Sequence, residues 1–285
     1  MPNIAVVIPT LGSRPTVRHT LESLSRQTLQ PVEIVVVNQG DPDLVQQIVG
    51  EFPGLNITLT TSARGLSRAR NHGIRSLASD WDYLATPDDD IIFNDDALER
   101  LTGAAESRNG RAGAVSGYLR DFESGQPRLN FPSRRQRLTR GTVWTSSIEA
   151  TMLYSREAID RAGTFDETLG LGAGTRWGSG EGTDLLLRIM DAGYEVWFEP
   201  EAKMSEMNLV STDAAASVER VRSYARGTGR VFALRESSLR QALLVLKSLM
   251  RIVVHAPSRG KRQIAIAILQ GRLEGLSSVR RGRDE

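Results

Sequence analysis

Short apolar runs alternate with helix-like segments over the N-terminal part of the chain, and this alternation limits the chain to few folds. The runs at residues 4–8 (IAVVI) and 33–37 (EIVVV) are almost wholly apolar, which is typical of strands buried on both faces of a parallel sheet. Residues 15–28 and 65–77 place apolar side chains at helical spacing. Strands that alternate with helices at this pace predict an α/β fold with a doubly wound, parallel sheet.

Five aspartates crowd the stretch TPDDDIIFNDD at residues 86–96, directly after another apolar run. In an open α/β sheet, ligands bind outside the carboxyl ends of the strands, where this stretch begins. Mg²⁺ prefers a few carboxylates together with phosphate oxygens of a substrate. Enrichment of acids by a helix dipole would account for the last two aspartates but not for the first three. The sequence therefore predicts a cation site at three consecutive carboxylates: Asp88, Asp89 and Asp90.

A basic segment with a turn glycine precedes the aspartates. The sequence SARGLSRARNHG places Gly65 at a turn and three arginines at or near a helix start, namely Arg64, Arg68 and Arg70. Backbone N–H groups and guanidinium groups in such a position suit phosphate or a nucleobase. A solvated basic face is the alternative, and the segment alone does not separate the two interpretations.

Two acids lie at the start of a later helix, in GSGEGTDLLLRIMDAG. Glu181 and Asp184 are three residues apart, so that both can face one side of that helix. A carboxylate in this position can act as a general base, and the surrounding glycines permit close approach of another group. The alternative is a capping arrangement, in which Thr183 is the N-cap and acids occupy the first turn.

Several short elements occur in a fixed order between residue 4 and about residue 230. They are Ile8-Pro9-Thr10, the EIVVV run, Gly65-x-x-x-Ala69-Arg70-Asn71-x-Gly73, the three aspartates, and Gly180-Glu181-x-x-Asp184-Leu-x-x-Arg188. In this order the chain resembles the inverting family 2 glycosyltransferases with the GT-A fold. The resemblance implies an α/β, Rossmann-like, mixed but mostly parallel sheet flanked by helices, followed by a C-terminal helical extension.

The resemblance also implies roles for individual residues. Asp88 and Asp90 occupy the positions of the DxD motif, which holds a divalent cation, Mg²⁺ or Mn²⁺, against the diphosphate of a nucleotide-sugar, and Asp89 contacts the ribose. A carboxylate at the start of the later helix accepts the proton of the acceptor hydroxyl, and the product has inverted configuration. Glu181 is the first candidate for this carboxylate and Asp184 the second. The residues expected to bind the nucleotide-sugar are Pro9, Thr10, Asn38, Arg64, Arg70, Asp88, Asp89 and Trp177. For the tryptophan, stacking on a sugar ring and packing into the core both remain open.

Three positions depart from the family pattern. Asn38 and Gln39 stand where Asp-Asp or Asp-Asn is common, and an Asn can still hydrogen-bond a nucleobase. Gly182 replaces the acid of the usual Glu-Asp pair, which moves the predicted base to Glu181. Glu206 occupies the position of a histidine that can bind the metal in the family, and we expect Glu206 to be a third oxygen ligand.

The C-terminal part of the chain is basic and the remainder is acidic. Residues 218–285 hold 15 Lys or Arg against 5 Asp or Glu, whereas the other 217 residues hold 21 against 29. An acidic body with a basic tail suggests a cation site in the body and an anionic surface for the tail. The predicted division is a GT-A domain at residues 1–210 and a basic, mainly helical extension at residues 211–285.

An apolar stripe at helical spacing runs along residues 239–254, beside Arg240, Lys247 and Arg251. Such a helix can lie in a membrane surface with its basic side toward anionic lipid, or it can dock on the domain. The nearby YARGTGR segment fits either a site for an acceptor phosphate or a surface turn. Aromatic residues do not interleave the basic ones, which argues against a nucleic acid partner.

The chain has no cysteine, which excludes disulfides, thiolate metal sites and a cysteine nucleophile. Its N-terminus lacks the pattern of a signal peptide, and no apolar run approaches the roughly 20 residues of a membrane span. The expected location is cytoplasmic, with the inner face of the membrane as an open alternative.

These features together predict a metal-dependent inverting glycosyltransferase that uses a UDP- or dTDP-sugar and a saccharide or lipid-linked acceptor, in the assembly of cell-surface polysaccharide or glycolipid. A degenerate enzyme that only binds nucleotide-sugar or scaffolds partners is one alternative. A sugar-nucleotide nucleotidyltransferase is another, but its usual Gly-rich loop with Arg and Lys is replaced here by the short PTLGSR. A dehydrogenase is disfavoured because G-x-G-x-x-G is absent after the first strand.

Overall fold

The computed structural model describes residues 1–207 and 214–281. The strands of these residues are β1 (Ile4–Thr10), β2 (Glu33–Asn38), β3 (Ile57–Thr61), β4 (Tyr83–Ala85), β5 (Ile91–Phe93), β6 (Ala112–Asp121), β7 (Gln136–Leu138), β8 (Met152–Ser155) and β9 (Glu195–Glu206). The helices are α1 (Thr16–Ser25), α2 (Pro42–Gly50), α3 (Leu66–Ser76), α4 (Ala97–Glu106), α5 (Val143–Ser146), α6 (Arg156–Ala162), α7 (Glu181–Asp191), α8 (Ala214–Arg235), α9 (Ser238–Val254) and α10 (Arg259–Arg281). A 3₁₀ turn covers Glu149–Thr151.

The chain folds into two compact units. The described residues of the first unit are 1–64, 68–165 and 185–207. Those of the second unit are 65–67, 166–184 and 214–281. The first unit therefore holds all the strands, and the second holds α8, α9 and α10 together with a glycine-rich segment. The division predicted between residues 210 and 211 lies outside the described residues and stays a prediction.

A nine-stranded sheet forms the centre of the first unit, in the order β3-β2-β1-β4-β8-β6-β9-β5, with β7 paired to β9 beside this path. β1 runs parallel to β2 and β4, β2 is parallel to β3, and β6 is parallel to β9. β8, β5 and β7 run antiparallel to their neighbours. A mixed sheet with a parallel N-terminal half, flanked by helices, confirms the predicted fold class.

The parallel strands are buried because helices cover them, as their apolar composition predicts. Every residue of β1 and β2 is buried, and α1 adds Val17, Leu21 and Leu24 to the same core. Each fully buried side chain of this size stabilises the fold by roughly 1.5–3 kcal/mol. On α3, a Cβ at Gly73 would overlap the side chains of Val7 and Val37. Glycine there lets α3 lie directly on the central strands.

Residues 143–154 have a strand-like composition that predicts an extended segment, and this prediction is wrong for most of the segment. α5 and the 3₁₀ turn occupy its first part, and only β8 is extended. The backbone N–H of Thr139 donates to Oγ1 of Thr142 at 2.8 Å, and Oγ of Ser147 donates to the carbonyl of Val143 at 2.7 Å. These local side-chain bonds favour turns over strand pairing, despite the β-forming composition.

Asn94 and Asp95 precede α4, and the sequence predicts that one of them is the N-cap of this helix. The start of α4 is capped from a distant part of the chain. The N-cap residue is Asp96, which makes no side-chain capping bond. Oε1 of Gln27 accepts the N–H of Leu98 at 3.0 Å instead. A tertiary contact thus satisfies a helix N-terminus that sequence rules assign to a local acid.

In the second unit, α8 and α10 pack through glycines. A Cβ at Gly271 would overlap the carbonyl oxygen of Arg222, and a Cβ at Gly275 would overlap that of Arg226. The YARGTGR segment is therefore a packed part of α8, and the surface turn considered for it is wrong. No helix among the residues described is long and apolar enough to cross a membrane.

Candidate active site

Thr10, the last residue of β1, binds the acidic loop that joins β4 to β5. Its hydroxyl donates to Oδ2 of Asp89 at 2.5 Å and accepts from the backbone N–H of Gly12 at 3.1 Å. Burial raises the pKa of Asp89 to about 6, with the Thr10 hydrogen bond opposing the rise and the charge of Asp88 adding to it. One hydroxyl thus links the end of the first strand, the loop that follows it and the middle aspartate.

Arg70 on α3 is a fully buried cation, and protein carboxylates bind it. Its Nη2 lies 2.8 Å from Oδ1 of Asp88, and its Nη1 pairs with Oε1 of Glu149. The guanidinium carbon also lies 5.4 Å from the centroid of the Phe165 ring, within range of a cation–π contact. A buried cation is stable only when it is paired, so Arg70 fixes the orientation of Asp88. Glu149 was not found from the sequence, because it lies in the segment that was predicted to be a strand.

Strand pairing brings Asp90 close to Glu206, although the two residues are far apart in the sequence. Ile91, the neighbour of Asp90, is paired with Glu206 in the register of β5 and β9. The backbone N–H of Met207 donates to the carbonyl of Asp90 at 3.1 Å. The predicted metal ligands therefore lie at one end of the β5–β9 pair.

The carboxylates of this loop repel one another. Burial, followed by the charges of Asp88, Glu206 and Asp89, raises the pKa of Asp90 to about 7. Burial also raises the pKa of Glu206, although the charge of Arg128 opposes the rise. Buried acids that disfavour ionisation in this way are typical of functional sites.

Arg128 is a second cation at this edge. It lies in residues 121–142, a polar and Arg-rich stretch whose sequence predicts a long loop over the site. Its Nε is 2.6 Å from Oε2 of Glu206, and its Nη2 is 3.3 Å from Oδ2 of Asp121. Asp121 also accepts hydrogen bonds from the backbone N–H and hydroxyl of Ser124, at 2.7 and 2.8 Å. Arg128 and Asp121 were not among the predicted site residues, since nothing in the sequence pairs them with Glu206.

Asn38 is buried at the end of β2, next to Thr10 in the parallel register. Its Nδ2 donates to the carbonyl of Asp41 at 2.8 Å, and its Oδ1 accepts the N–H of Gly40 at 3.0 Å. Gln39 donates from Nε2 to the carbonyl of Ala63 at 2.5 Å. The two amides shape the loops after β2 and β3. The family commonly carries acids at the positions of these two residues.

Two further predicted residues of the nucleotide-sugar site lie near the carboxyl ends of β1 and β3. Pro9 is buried within β1. Arg64 is exposed after β3, and its carbonyl accepts a hydrogen bond from Nη1 of Arg68 at 2.9 Å. Their roles toward a ligand stay predictions.

The second unit holds the two candidate bases. Glu181 is the first residue of α7 and is buried; the helix thus begins before Thr183, and the proposed N-cap at that threonine is wrong. A Cβ at Gly170, where φ is +98°, would lie 2.9 Å from Cδ of Glu181. Glycine permits the backbone of the glycine-rich segment to approach that carboxylate.

Asp184 has no exposed surface and is paired with a cation. Its Oδ1 accepts from Nε of Arg235 at 2.7 Å, and its backbone N–H donates to the carbonyl of Gly180 at 2.8 Å. A carboxylate held in this way anchors the first turn of α7 to α8 within the second unit. Glu181 and Asp184 consequently have different environments, although they lie on one helix.

Trp177 is half-buried in the glycine-rich segment, and two guanidinium groups lie near its ring. The guanidinium carbons of Arg176 and Arg230 lie 5.4 and 5.6 Å from its ring centroid. The carbonyl of Trp177 accepts the N–H of Gly170 at 2.9 Å. The ring is therefore held by cation–π contacts, and stacking on a sugar stays a prediction.

The described residues contain no group of three or more His, Cys, Asp or Glu side chains that could hold a metal ion by themselves. The ligand set of Asp88, Asp90 and Glu206 accordingly stays a prediction. A site that uses fewer protein carboxylates would need oxygens from the substrate.

The mixed sheet and the acidic loop after its fourth strand are those of a protein with the GT-A fold. Residues 5–163 match the model of the family described as Glycosyl transferase family 2. This match covers more than half of the chain, and the chain belongs to glycosyl transferase family 2. The resemblance seen in the sequence is thereby confirmed.

Curated relatives are named as glycosyltransferases. The chain spans 31% and 38% of the length of two Bacillus subtilis glycosyltransferases that it matches. It is 26% identical over 251 residues to an N-acetylglucosaminyl-diphospho-decaprenol L-rhamnosyltransferase of Mycobacterium tuberculosis, a match that covers 73% of this chain and 77% of that protein.

Solved structures share the fold over nearly the whole chain. S. aureus TarS 1-349 in complex with UDP-GlcNAc superposes with a TM-score of 0.61 at 14% identity, covering 98% of this chain and 92% of that one. The mannosyltransferase PcManGT from Pyrobaculum calidifontis, in complex with GDP-Man and Mn²⁺, has a TM-score of 0.60 at 16% identity, covering 96% and 87%. At these identities the likeness shows the fold.

Proposed function

We propose that the chain is a metal-dependent inverting glycosyltransferase that moves a sugar from a nucleotide-sugar to a hydroxyl group of an acceptor. The observation that carries the proposal is the set of mutually repelling carboxylates after β4, in which Asp90 has its pKa raised to about 7. Such a set is costly without a cation. Its location after the fourth strand of a family 2 chain supports the assignment of Asp88 and Asp90 to the DxD motif, which the resemblance implies.

The donor set fits a hard divalent cation. Asp88 and Asp90, with Glu206, offer only oxygen atoms, which suit Mg²⁺ or Mn²⁺. Diphosphate oxygens of the donor would complete the coordination. When bound, the cation would supply Lewis-acid stabilisation of the leaving diphosphate. The Mn²⁺ in the PcManGT complex supports the same choice here.

The protein's own contacts would preorganise this site. Arg70 holds Asp88, and Thr10 holds Asp89, at 2.8 and 2.5 Å. We assign Asp89 to the donor ribose, as the resemblance implies. Pro9, Asn38 and Arg64 would line the nucleotide pocket, with Asn38 acting through the loop that its amide fixes. Groups held before the ligand binds need no reorganisation during the reaction.

Glu181 is the proposed general base, which accepts the proton of the acceptor hydroxyl as that oxygen attacks the anomeric carbon from the face opposite the leaving diphosphate. Asp184 is less suited to this role, because it is fully buried and paired with Arg235. We assign Asp184 as a positioning residue for the first turn of α7.

The donor is proposed to be a UDP- or dTDP-sugar, and the acceptor a saccharide or lipid-linked saccharide of cell-surface polysaccharide or glycolipid assembly. The mycobacterial relative is named for a diphospho-decaprenol acceptor, and its match covers 73% of this chain. A cytoplasmic enzyme whose basic C-terminal helices contact a membrane surface would suit such an acceptor.

The test is thermal stabilisation by UDP, dTDP, GDP and CDP, each with and without Mn²⁺. We expect one nucleotide to stabilise the wild type only with metal, by about 2.7 kcal/mol at a hundred times its Kd. Asp90→Ala should lose this effect. The matched control is Asp95→Ala, which removes an exposed acid paired with Arg26 at 3.4 Å, and should keep it. Absence of stabilisation by every nucleotide with metal would contradict the proposal.

A degenerate, scaffolding protein gives a different result. It would bind a nucleotide-sugar but release no nucleotide from it, with or without candidate acceptors. A nucleotidyltransferase would instead release pyrophosphate from a nucleoside triphosphate and a sugar phosphate. Assays of these two products separate both alternatives from the transferase.

A further inference from the structure

Helix α9 leaves a broad apolar face uncovered. Seven large apolar side chains on this helix are each at least 45% exposed. At 100° per residue they span an arc of about 140°. They are Leu239, Leu243, Leu246, Leu249, Met250, Val253 and Val254. An uncovered apolar face of this extent marks a contact surface.

The opposite side of α9 makes its contacts within the second unit. Leu244 and Ser248 are the buried residues of the helix. Oγ of Ser248 donates to the carbonyl of Leu244 and accepts from Nη1 of Arg272 on α10, both at 2.8 Å. The apolar stripe predicted from the sequence thus points away from the packed side of the helix.

The stretch of sequence that contains α9 carries charge of one sign. No Asp or Glu occurs between Glu236 and Glu274. Seven basic residues lie in this interval: Arg240, Lys247, Arg251, Arg259, Lys261, Arg262 and Arg272. By helical spacing, the first three of them follow one edge of the apolar arc. Arg240 is paired with Glu236 at 3.1 Å, and Lys247 and Arg251 complete this basic edge. An apolar face flanked by cations fits an anionic surface.

The first turn of α10 gives a second, independent sign of an anionic partner. Arg259, Lys261 and Arg262 occupy it, all are exposed, and the turn has no acid. A helix N-terminus favours anions and disfavours cations. Three cations at this position are unfavourable in the protein alone, and phosphate groups would stabilise them.

We propose that the second unit binds the surface of a membrane that contains anionic phospholipid. α9 lies in the interface, with its apolar face among the acyl chains and its basic edge at the headgroups. The cations at the start of α10 bind lipid phosphates. Since no helix of the described residues could span a membrane, the contact is peripheral.

A second copy of the chain is a poorer occupant. Two such faces packed together would bring Lys247 and Arg251 of both helices close, and the acid-free interval offers no carboxylate to neutralise them. Like charges placed together at an interface oppose association. Phospholipid supplies both the apolar and the anionic component.

The test is flotation of the full chain with vesicles of phosphatidylcholine, with or without phosphatidylglycerol. We expect binding to the mixed vesicles that weakens as salt rises, and much weaker binding to pure phosphatidylcholine. The triple variant Leu246→Gln, Met250→Gln, Val253→Gln should bind more than tenfold more weakly. These side chains are exposed, so the variant should keep the wild-type Tm, which is measured alongside.

The electrostatic part has a matched pair of variants. Charge reversal in the proposed surface should abolish binding to the mixed vesicles: Lys247→Glu, Lys261→Glu, Arg262→Glu. An equal reversal at exposed arginines of the first unit should leave binding unchanged: Arg75→Glu, Arg111→Glu, Arg161→Glu. Equal binding by the two reversals would overturn the proposal. The proposal would also be overturned if the chain bound no vesicle and light scattering showed a dimer that the Gln variant dissociates.

Discussion

Arg235 donates from Nε to Oδ1 of Asp184 across 2.7 Å, and Asp184 has no exposed surface. Within the second unit, the pair joins the first turn of α7, which begins with the proposed base, to α8. Removal of one partner from a buried pair leaves the other charge poorly compensated, which is strongly destabilising.

We expect Arg235→Ala to lower the free energy of unfolding by about 3 kcal/mol. Urea denaturation measures this change. Arg161→Ala, which removes an exposed arginine of the first unit, should stay within about 0.5 kcal/mol of the wild type. A loss as small as that of the control would show that other groups hold Asp184.

Glu181→Gln should separate catalysis from donor binding. The amide cannot accept the acceptor proton, and kcat should fall by roughly 10²–10⁴-fold. Nucleotide-dependent thermal stabilisation should stay at the wild-type value. Glu157→Gln, at an exposed acid of α6, is the control and should keep full activity. If Glu181→Gln kept the wild-type kcat, Glu181 would not be the general base.

Thr10→Val removes the hydroxyl that links Asp89 and Gly12. We expect a loss of about 1–2 kcal/mol of stability, because two hydrogen bonds to a buried oxygen disappear, and weaker stabilisation by nucleotide with metal. Thr20→Val is a matched control: Thr20 is equally buried, and within the part of the chain that the structure describes its hydroxyl makes no hydrogen bond. Similar losses in both variants would contradict a role for the Thr10–Asp89 contact.

Glu274 predicts how the stability of the second unit depends on pH. Burial alone would raise its pKa, but hydrogen bonds from Arg222, Arg226 and Arg176 lower the pKa to about 2, from 4.5 in the unfolded chain. This stabilisation is complete above about pH 4.5 and is lost as pH falls toward 2. After allowance for solvent screening at the partly exposed arginines, we expect it to be about 2 kcal/mol.

Glu274→Gln should therefore be less stable at neutral pH and less sensitive to acid between pH 4.5 and 2. Unfolding by urea at several pH values gives both curves. Parallel curves for the variant and the wild type would show that Glu274 does not cause the acid sensitivity.

The parallel half of the sheet was predictable because local composition specifies it. The runs that became β1 and β2 are buried on both faces, and no alternating pattern competes with that interpretation. The location of the three aspartates was also predictable from the local sequence, because they directly follow a strand. Strand-forming residues near Val143 gave a wrong prediction, because threonine and serine side chains there bind the backbone locally.

The partners of the site residues were not predictable from the sequence. Asp90 is close to Glu206 only because β5 pairs with β9, and β5 is too short to be recognised from its composition. Glu149 and Arg128 are ordinary charged residues until the fold brings them to Arg70 and Glu206. Long-range strand register and ion pairing depend on the whole fold, and they cannot be predicted from the spacing of residues along the chain.

The glycine contacts between α8 and α10 limit how the chain can be shortened. Gly271 and Gly275 lie against main-chain atoms of α8. Because a side chain at either position would overlap those atoms, the glycines let α10 cover the backbone of α8 closely. An expression product that stops before residue 259 would expose that surface of α8 to water, together with the arginines that Glu274 neutralises. The C-terminal helices are consequently an integral part of the second unit, and truncation is a poor way to remove the membrane-binding surface; point substitution on α9 is the suitable one.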